Sequence, residues 1–83
     1  MIILSQDTML ATEFGSIEIR ELVNENQQIV GYSITVFTLS STFDVAQYPT
    51  IEAAKIMFND IMTAWGKETE FYDIHARELK LLK

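Results

Sequence analysis

Residues 29–66 read IVGYSITVFTLSSTFDVAQYPTIEAAKIMFNDIMTAWG, and they change from a strand pattern to a helix pattern at Tyr48-Pro49-Thr50. Between Ile29 and Leu39, β-branched and aromatic residues recur in the way that is typical of a β-strand. After Thr50, apolar residues recur at spacings of three and four, which indicates one face of an amphipathic helix. The stretch therefore predicts an α+β domain in which a helix covers a sheet.

The predicted helix spans about residues 50–65. Thr50 is a suitable N-cap, and Glu52 places a negative charge in the first turn, where the helix dipole favours it. Gly66 is expected to follow the helix in a left-handed conformation. The apolar stripe that should pack on the sheet comprises Ile51, Ala54, Phe58, Ile61, Met62 and Trp65.

Three consecutive strand patterns, joined by polar loops, lie at Ile17–Val23, Ile29–Leu39 and Phe43–Gln47. Their order predicts an antiparallel meander. A short apolar run at residues 2–4 and a second one at 9–12 could form a hairpin before it. The sequence therefore predicts one antiparallel sheet of four or five strands with one helix on a face, forming a single domain over residues 1–66.

Residues 67–83 form a C-terminal tail with two alternative interpretations. The segment 68–74 could be an edge strand, or Asp73 could cap a short helix with Ile74, Leu79 and Leu82 on one side. Phe71, Tyr72 and Ile74 follow a core that is already complete in this prediction. They are expected to pack either on the sheet edge of their own chain or on a neighbouring molecule.

The second face of the predicted sheet suggests an interface. Strand 29–39 carries Tyr32, Ile34 and Val36 on one face and two further apolar residues on the other, and a single helix covers only one face. Contiguous exposed apolar patches usually mark interaction sites, and a symmetric dimer is the commonest way to cover them. We therefore predict a homo-oligomer, in particular a dimer, whose candidate interaction surface is Phe37, Leu39, Phe71, Tyr72 and Ile74.

Composition narrows the classes of function. The chain has 83 residues, a net charge of −6 and no cysteine, so it has no disulfide, thiolate nucleophile or Cys-ligated metal. Acidic proteins repel phosphate backbones, so we expect no nucleic-acid partner. The N-terminus has no signal-peptide pattern, and no apolar run approaches the roughly 18 residues of a membrane span. We expect no membrane partner and a cytoplasmic location.

No catalytic motif stands out. His75 is the only histidine, and it could form a dyad with Asp73 if the tail is extended, although a surface histidine is the favoured interpretation. Glu68 and Glu70 would share a strand face, where they would discourage sheet-to-sheet pairing. The other acids are too dispersed for a metal site, and three glycines make no phosphate loop. The sequence thus predicts no catalytic, cofactor-binding or metal-binding residues.

Three functions from different classes remain, of which the last, an acidic decoy that mimics nucleic acid for a basic partner, rests only on the net charge. The first is a non-enzymatic interaction module that self-associates. The alternative is a small enzyme or ligand-binding domain whose site lies at a subunit interface near the tail, using Asp73, His75 and a tyrosine.

The segment 48–55, Tyr-Pro-Thr-Ile-Glu-Ala-Ala-Lys, resembles a pattern in short uncharacterised proteins of Gram-positive bacteria and their phages. Ile61, the opening Ser5-Gln6-Asp7, and the later Ile17 and Ile19 extend the resemblance, which covers about residues 2–65. Ala46-Gln47 stands where that family has a Leu-Gly pair, and the tail has no counterpart. The resemblance implies a β-meander followed by one amphipathic helix, and it implies no activity.

Overall fold

The computed structural model describes residues 1–82, which form six strands and two helices. The elements in chain order are β1 (Ile2–Leu4), β2 (Ala11–Glu13), β3 (Ser16–Val23), β4 (Ile29–Phe37), β5 (Thr42–Tyr48), α1 (Ile51–Gly66), β6 (Phe71–Asp73) and α2 (Ile74–Leu81). The α+β class predicted from the sequence is confirmed. The strands form two sheets of three, which corrects the prediction of one sheet with four or five strands.

The first sheet, which we call the meander sheet, has the antiparallel order β3-β4-β5. β4 lies at its centre and carries Ile34 and Val36 into the core, as period-two alternation requires. Two β-bulges interrupt the ladders. One follows Leu22, where Val23 pairs with Ile29, and the other displaces Val45 on β5.

The second sheet, which we call the terminal sheet, has the order β2-β1-β6. β1 pairs with β2 in an antiparallel hairpin and with β6 in parallel, so that Ile3 lies between Thr12 and Tyr72. A parallel pair needs a long crossover connection. Here the crossover is the whole meander sheet with α1, so the two ends of the described chain meet in one sheet.

The chain passes from one sheet to the other at Phe14 and Gly15. Between β2 and β3, Phe14 turns inward and its ring lies 4.7 Å from that of Trp65 on α1. The adjacent Gly15 N–H donates to the Phe37 carbonyl, which starts a new ladder with β4. The short apolar run 2–4 pairs with the tail instead of extending the meander.

α1 begins where the sequence predicts and ends differently. The Thr50 hydroxyl accepts from the Ala53 N–H at 3.2 Å, as an N-cap should. Gly66 is the last helical residue, not a left-handed cap, and the positive φ of 60° falls on Glu68. The predicted left-handed glycine is therefore wrong, because the chain makes one more tight turn before it reverses. No helix within residues 1–82 is long and apolar enough to span a membrane.

The core joins both sheets to α1. Ala54, Met57 and Ile61 are fully buried on the helix and lie in one cluster with Ile34 of β4 and Ile3 of β1. Met57 was not in the predicted stripe, whereas Met62, which was, is 41% exposed. The helix is thus rotated relative to the predicted face, since it must contact α2 as well as the meander sheet.

The tail is part of this core. Both alternatives for it occur in succession, because Phe71–Asp73 is an edge strand and Ile74–Leu81 is a helix. The Asp73 carboxylate accepts from the Ala76 N–H at 3.1 Å and so caps α2. Ile74 is completely buried, and Leu81 and Leu82 pack against the core cluster.

Candidate functional site

The five residues of the predicted interaction surface do not form one surface. Tyr72 and Ile74 are 4% and 0% exposed, so they cannot meet a partner, which corrects their assignment. Both are buried because the tail supplies the third strand of the terminal sheet. Phe71 is 53% exposed on that strand, whereas Leu39 is fully exposed in the turn after β4.

The outer face of the meander sheet is polar, which removes the predicted uncovered apolar face. β4 ends at Phe37, so Leu39 is not on the strand. On the same face, the Ser33 and Thr35 hydroxyls lie 3.0 Å apart, and the Thr35 hydroxyl donates to Asp44 at 2.8 Å. Both residues are buried and fully hydrogen-bonded, as buried hydroxyls must be. Phe37 is the one apolar side chain of this row within β4.

Phe37 is covered by its own chain. The guanidinium carbon of Arg20 lies 5.1 Å from the centroid of the Phe37 ring, a cation–π contact. The Arg20 Nε also donates to Glu18 at 2.8 Å. Stacking and ion pairing together hold the Arg20 side chain in one orientation on β3.

β3 is an edge strand with a long free side. It pairs with β4 only, over eight residues, and no described segment pairs with its other side. Ile17 and Ile19 point to the helix side and remain only half-buried. Natural proteins usually block such an edge with charged side chains, proline, a bulge or a covering loop. β3 carries charges at Glu18, Arg20 and Glu21, but no proline and no covering segment within residues 1–82. The one bulge in the β3–β4 ladder lies at its last residue pair, and the extra residue, Val30, is in β4.

The opposite edge of the meander sheet is blocked by Gln6. Its N–H donates to the Val45 carbonyl at 2.7 Å, and its side-chain oxygen accepts from the Gln47 N–H at 2.9 Å. Its side-chain amide also donates to the Gln47 carbonyl at 3.2 Å. The Gln6 side chain thus pairs with β5 as a strand would. This contrast leaves β3 as the one long edge that is open.

A cleft of about 290 Å³ lies between the C-terminal half of α1, β6 and the first turn of α2. α1 contributes Asp60 and Ala64, the turn that follows it contributes Lys67, and β6 and α2 contribute Phe71 and Arg77. The remaining lining residues are Thr63, Thr69, Tyr72, Asp73 and Ala76. The cleft therefore combines apolar walls with charged groups from three different elements.

Asp60 is the centre of hydrogen bonding in this cleft. Arg77 donates to both of its carboxylate oxygens, from Nε at 2.9 Å and from Nη2 at 3.0 Å, in a bidentate pair. The Tyr72 hydroxyl donates to Asp60 Oδ2 at 2.5 Å. The bonds from Arg77 lower the pKa of Asp60, and Lys67 contributes to the same direction. Burial and the bond to Asp60 raise the pKa of the Tyr72 hydroxyl.

A second tyrosine–carboxylate bond lies on the other side of α2. The Tyr48 hydroxyl donates to Glu78 Oε1 at 2.7 Å. Burial is the main cause that raises the pKa of Tyr48, and the bond to Glu78 raises it further. Tyr48 is in the meander sheet and Glu78 is in α2, so the bond ties the tail to β5. Neither tyrosine was predicted to act in this way.

The residues considered for catalysis are separated or already engaged. His75 is an exposed residue in the first turn of α2, so the extended Asp73–His75 dyad does not form. Glu68 and Glu70 precede β6 and do not share a strand face. Within residues 1–82, no three His, Asp or Glu side chains are close enough to hold a metal ion.

The signals for these sites were faint in the sequence. Asp60 and Arg77 are 17 positions apart, and their pairing depends on the angle at which α2 returns to α1. The edge of β3 is free because no described segment pairs with it, whereas Gln6 covers the edge of β5. A lone glutamine in a turn carries no sequence pattern. No family model, curated protein or solved structure matches this chain.

Proposed function

We propose that the chain is a non-enzymatic interaction module that self-associates by pairing the free edges of two β3 strands. The observation that carries this proposal is the open eight-residue edge of β3 with Glu18 and Arg20 beside it. Pairing of this kind would convert two three-stranded sheets into one continuous antiparallel sheet of six strands across a two-fold axis.

The centre of β3 is complementary to itself, although the same register places Ile17 opposite Glu21. When two copies pair antiparallel about Ile19, Ile19 faces its own copy and Glu18 of each copy faces Arg20 of the other. Opposite charges on directly opposed residues stabilise an antiparallel ladder, and like charges destabilise it. The pairing would also cover the half-buried Ile17 and Ile19 side chains.

The expected association is concentration-dependent. An interface built on one strand ladder lies at the small end of the range, below about 1,200 Å². Interfaces of that size belong to weak or transient complexes. We therefore expect a monomer of 9.5 kDa in equilibrium with a dimer of twice that mass.

Charge reversal tests the proposal. Glu18→Arg and Arg20→Glu each place like charges opposite one another in a homodimer, so each variant alone should remain monomeric. An equimolar mixture of the two restores opposite charges in the mixed dimer. Molar mass from light scattering, measured over a dilution series, should show association for the wild type and for the mixture only.

The matched control is Lys55→Glu, which changes the net charge as Arg20→Glu does and lies on the exposed side of α1. It should associate with little change. A wild type that stays monomeric up to millimolar concentration, or a mixture that behaves like its components, contradicts pairing through β3. Because the intramolecular Glu18–Arg20 pair is lost in both single variants, only an intermolecular contact explains recovery in the mixture.

A further inference from the structure

The cleft between α1, β6 and α2 has walls that are fixed from within. The bidentate bond between Asp60 and Arg77 joins α1 to α2, and the Tyr72 hydroxyl joins β6 to the same carboxylate. The Arg77–Asp60 and Tyr72–Asp60 bonds therefore set the distances between all three elements. Binding sites are usually preformed in this way.

The apolar part of the cleft is open to a ligand. The Phe71 ring lines it and is 53% exposed, and the methyl groups of Ala64 and Ala76 line it as well. Small alanine side chains on both helices leave space beside the ring. A flat apolar body could stack on Phe71 between them.

The four charged residues that line the cleft, two carboxylates and two cations, have no net charge, but they differ in their bonding partners. Both Asp60 oxygens accept bonds from Arg77, and Asp73 caps the N-terminus of α2, whose dipole favours that negative charge. Lys67 makes no hydrogen bond or ion pair with another side chain in residues 1–82. Lys67 lines the cleft and acts on Asp60 through its charge alone.

We propose that this cleft binds a small organic anion with a planar apolar body, of the aromatic carboxylate class. The ring stacks on Phe71, and the carboxylate pairs with the Lys67 ammonium. The volume of about 290 Å³ is at the lower limit of ligand pockets, so the body is a single ring or a fused pair. The site lies on the terminal sheet, away from β3, so it does not depend on the proposed self-association.

The test uses benzoate and indole-3-acetate as probes and benzamide as an uncharged probe of benzoate's shape. Amide chemical shifts of the full chain are followed during titration. We expect both anions to bind with dissociation constants of about 1 mM, a value that fits about 10 non-hydrogen atoms at ordinary ligand efficiency. The shifts should centre on Lys67, Phe71 and Ala76, and benzamide should bind about two- to fivefold more weakly.

Matched variants separate the charge from the ring. Lys67→Met should weaken benzoate about two- to fivefold while leaving benzamide unchanged. Lys55→Met removes the same charge from an exposed position on α1, away from the cleft lining, and should leave both probes unchanged. Phe71→Ala should weaken all three probes.

Three results overturn the proposal: equal binding of benzoate and benzamide, equal loss in Lys67→Met and Lys55→Met, or no shift at this cleft with probes at about 20 mM, well above the expected constant. The titration is repeated on Arg20→Glu, which separates this site from β3. Binding that persists in that variant, whatever its association state, keeps the cleft independent of the proposed function.

Discussion

The two sheets of this molecule are built in opposite ways. The meander sheet and α1 form from consecutive elements between Ser16 and Gly66, each paired with its neighbour in sequence. The terminal sheet forms from both ends of the described chain, with Ile2 opposite Phe71. Local pairing has a low entropic cost of loop closure, whereas the terminal sheet must close a much longer loop. The terminal sheet therefore depends on the packing of the rest.

Two hydrogen bonds from tyrosine hydroxyls to carboxylates join the meander sheet and α1 to the terminal sheet and α2. Tyr48 of the meander sheet bonds to Glu78 of α2, and Tyr72 of the terminal sheet bonds to Asp60 of α1. Gln6, which follows β1, adds a third junction at the edge of β5. The tail is therefore bonded to the rest of the molecule at more than one point and is not a separate unit.

The largest expected effect comes from truncating a buried side chain of the tail. Ile74→Ala should lower the free energy of unfolding by about 2–4 kcal/mol, because it removes a fully buried side chain and leaves a cavity. That is a large fraction of the roughly 4–12 kcal/mol expected for a domain of this length. Urea denaturation followed by circular dichroism measures the change.

The control lies on the same short helix. Leu79 is 50% exposed, and Leu79→Ala should change the free energy of unfolding by no more than about 0.5 kcal/mol. Equal, small effects for Ile74→Ala and Leu79→Ala would mean that the tail is only loosely attached. The terminal sheet and α2 would then contribute little to the stability of the fold.

The sequence predicted the local half well because its patterns are long enough to read. Nine residues of β4 show period-two alternation, and sixteen residues of α1 show the helical period after the Thr50 cap. Three-residue strands such as β1 and β6 contain a single alternation and no usable period. Tertiary packing decides that β1 and β6 pair in parallel. The sequence pattern therefore does not show that the tail shares a sheet with the first residues of the chain.

The candidate sites were missed for a related reason. The predicted surface combined Phe37 with Phe71, although these residues lie on different sheets. Alternation was predicted to continue to Leu39, whereas β4 ends two residues earlier, at Phe37. Edges and clefts depend on which segments meet, and a single sequence does not carry that information at short strands.

A smaller effect is expected from the tyrosine junctions. Tyr72→Phe or Tyr48→Phe should each cost about 1–2 kcal/mol at neutral pH, since each removes a hydrogen bond to a carboxylate. Tyr32→Phe is the control, because its hydroxyl bonds to no carboxylate in residues 1–82. The free energy of unfolding from urea titration should rank the two junction variants below this control.

The same junctions predict a dependence on alkaline pH. The pKa values of Tyr48 and Tyr72 are raised in the folded chain, so above about pH 10 the unfolded chain releases these protons first. The free energy of unfolding should therefore fall as the pH rises above 10. Each junction variant should fall less steeply than the wild type, and an unchanged slope in both would place the alkaline loss elsewhere.

The smallest effect, and the most local, is expected at Gln6. Gln6→Ala removes the two side-chain bonds to Gln47 at an exposed sheet edge, so the free energy of unfolding should fall by only about 0.5–1 kcal/mol. Gln47→Ala is the matched control, because the bonds from Gln6 reach only the backbone of Gln47. The difference between these variants isolates the junction of the two sheets at β5.

Hydrogen exchange can detect the loss of the Gln6 bonds even though the expected change in the free energy of unfolding is small. The Gln47 N–H donates to the Gln6 side chain, so in Gln6→Ala this amide should exchange at least about tenfold faster while the amides of β4 stay protected. Unchanged protection at Gln47 would show that something other than Gln6 covers the edge of β5. In that case β3 would no longer be the only long open edge within residues 1–82. Pairing through β5 would then compete with the proposed pairing of two β3 strands.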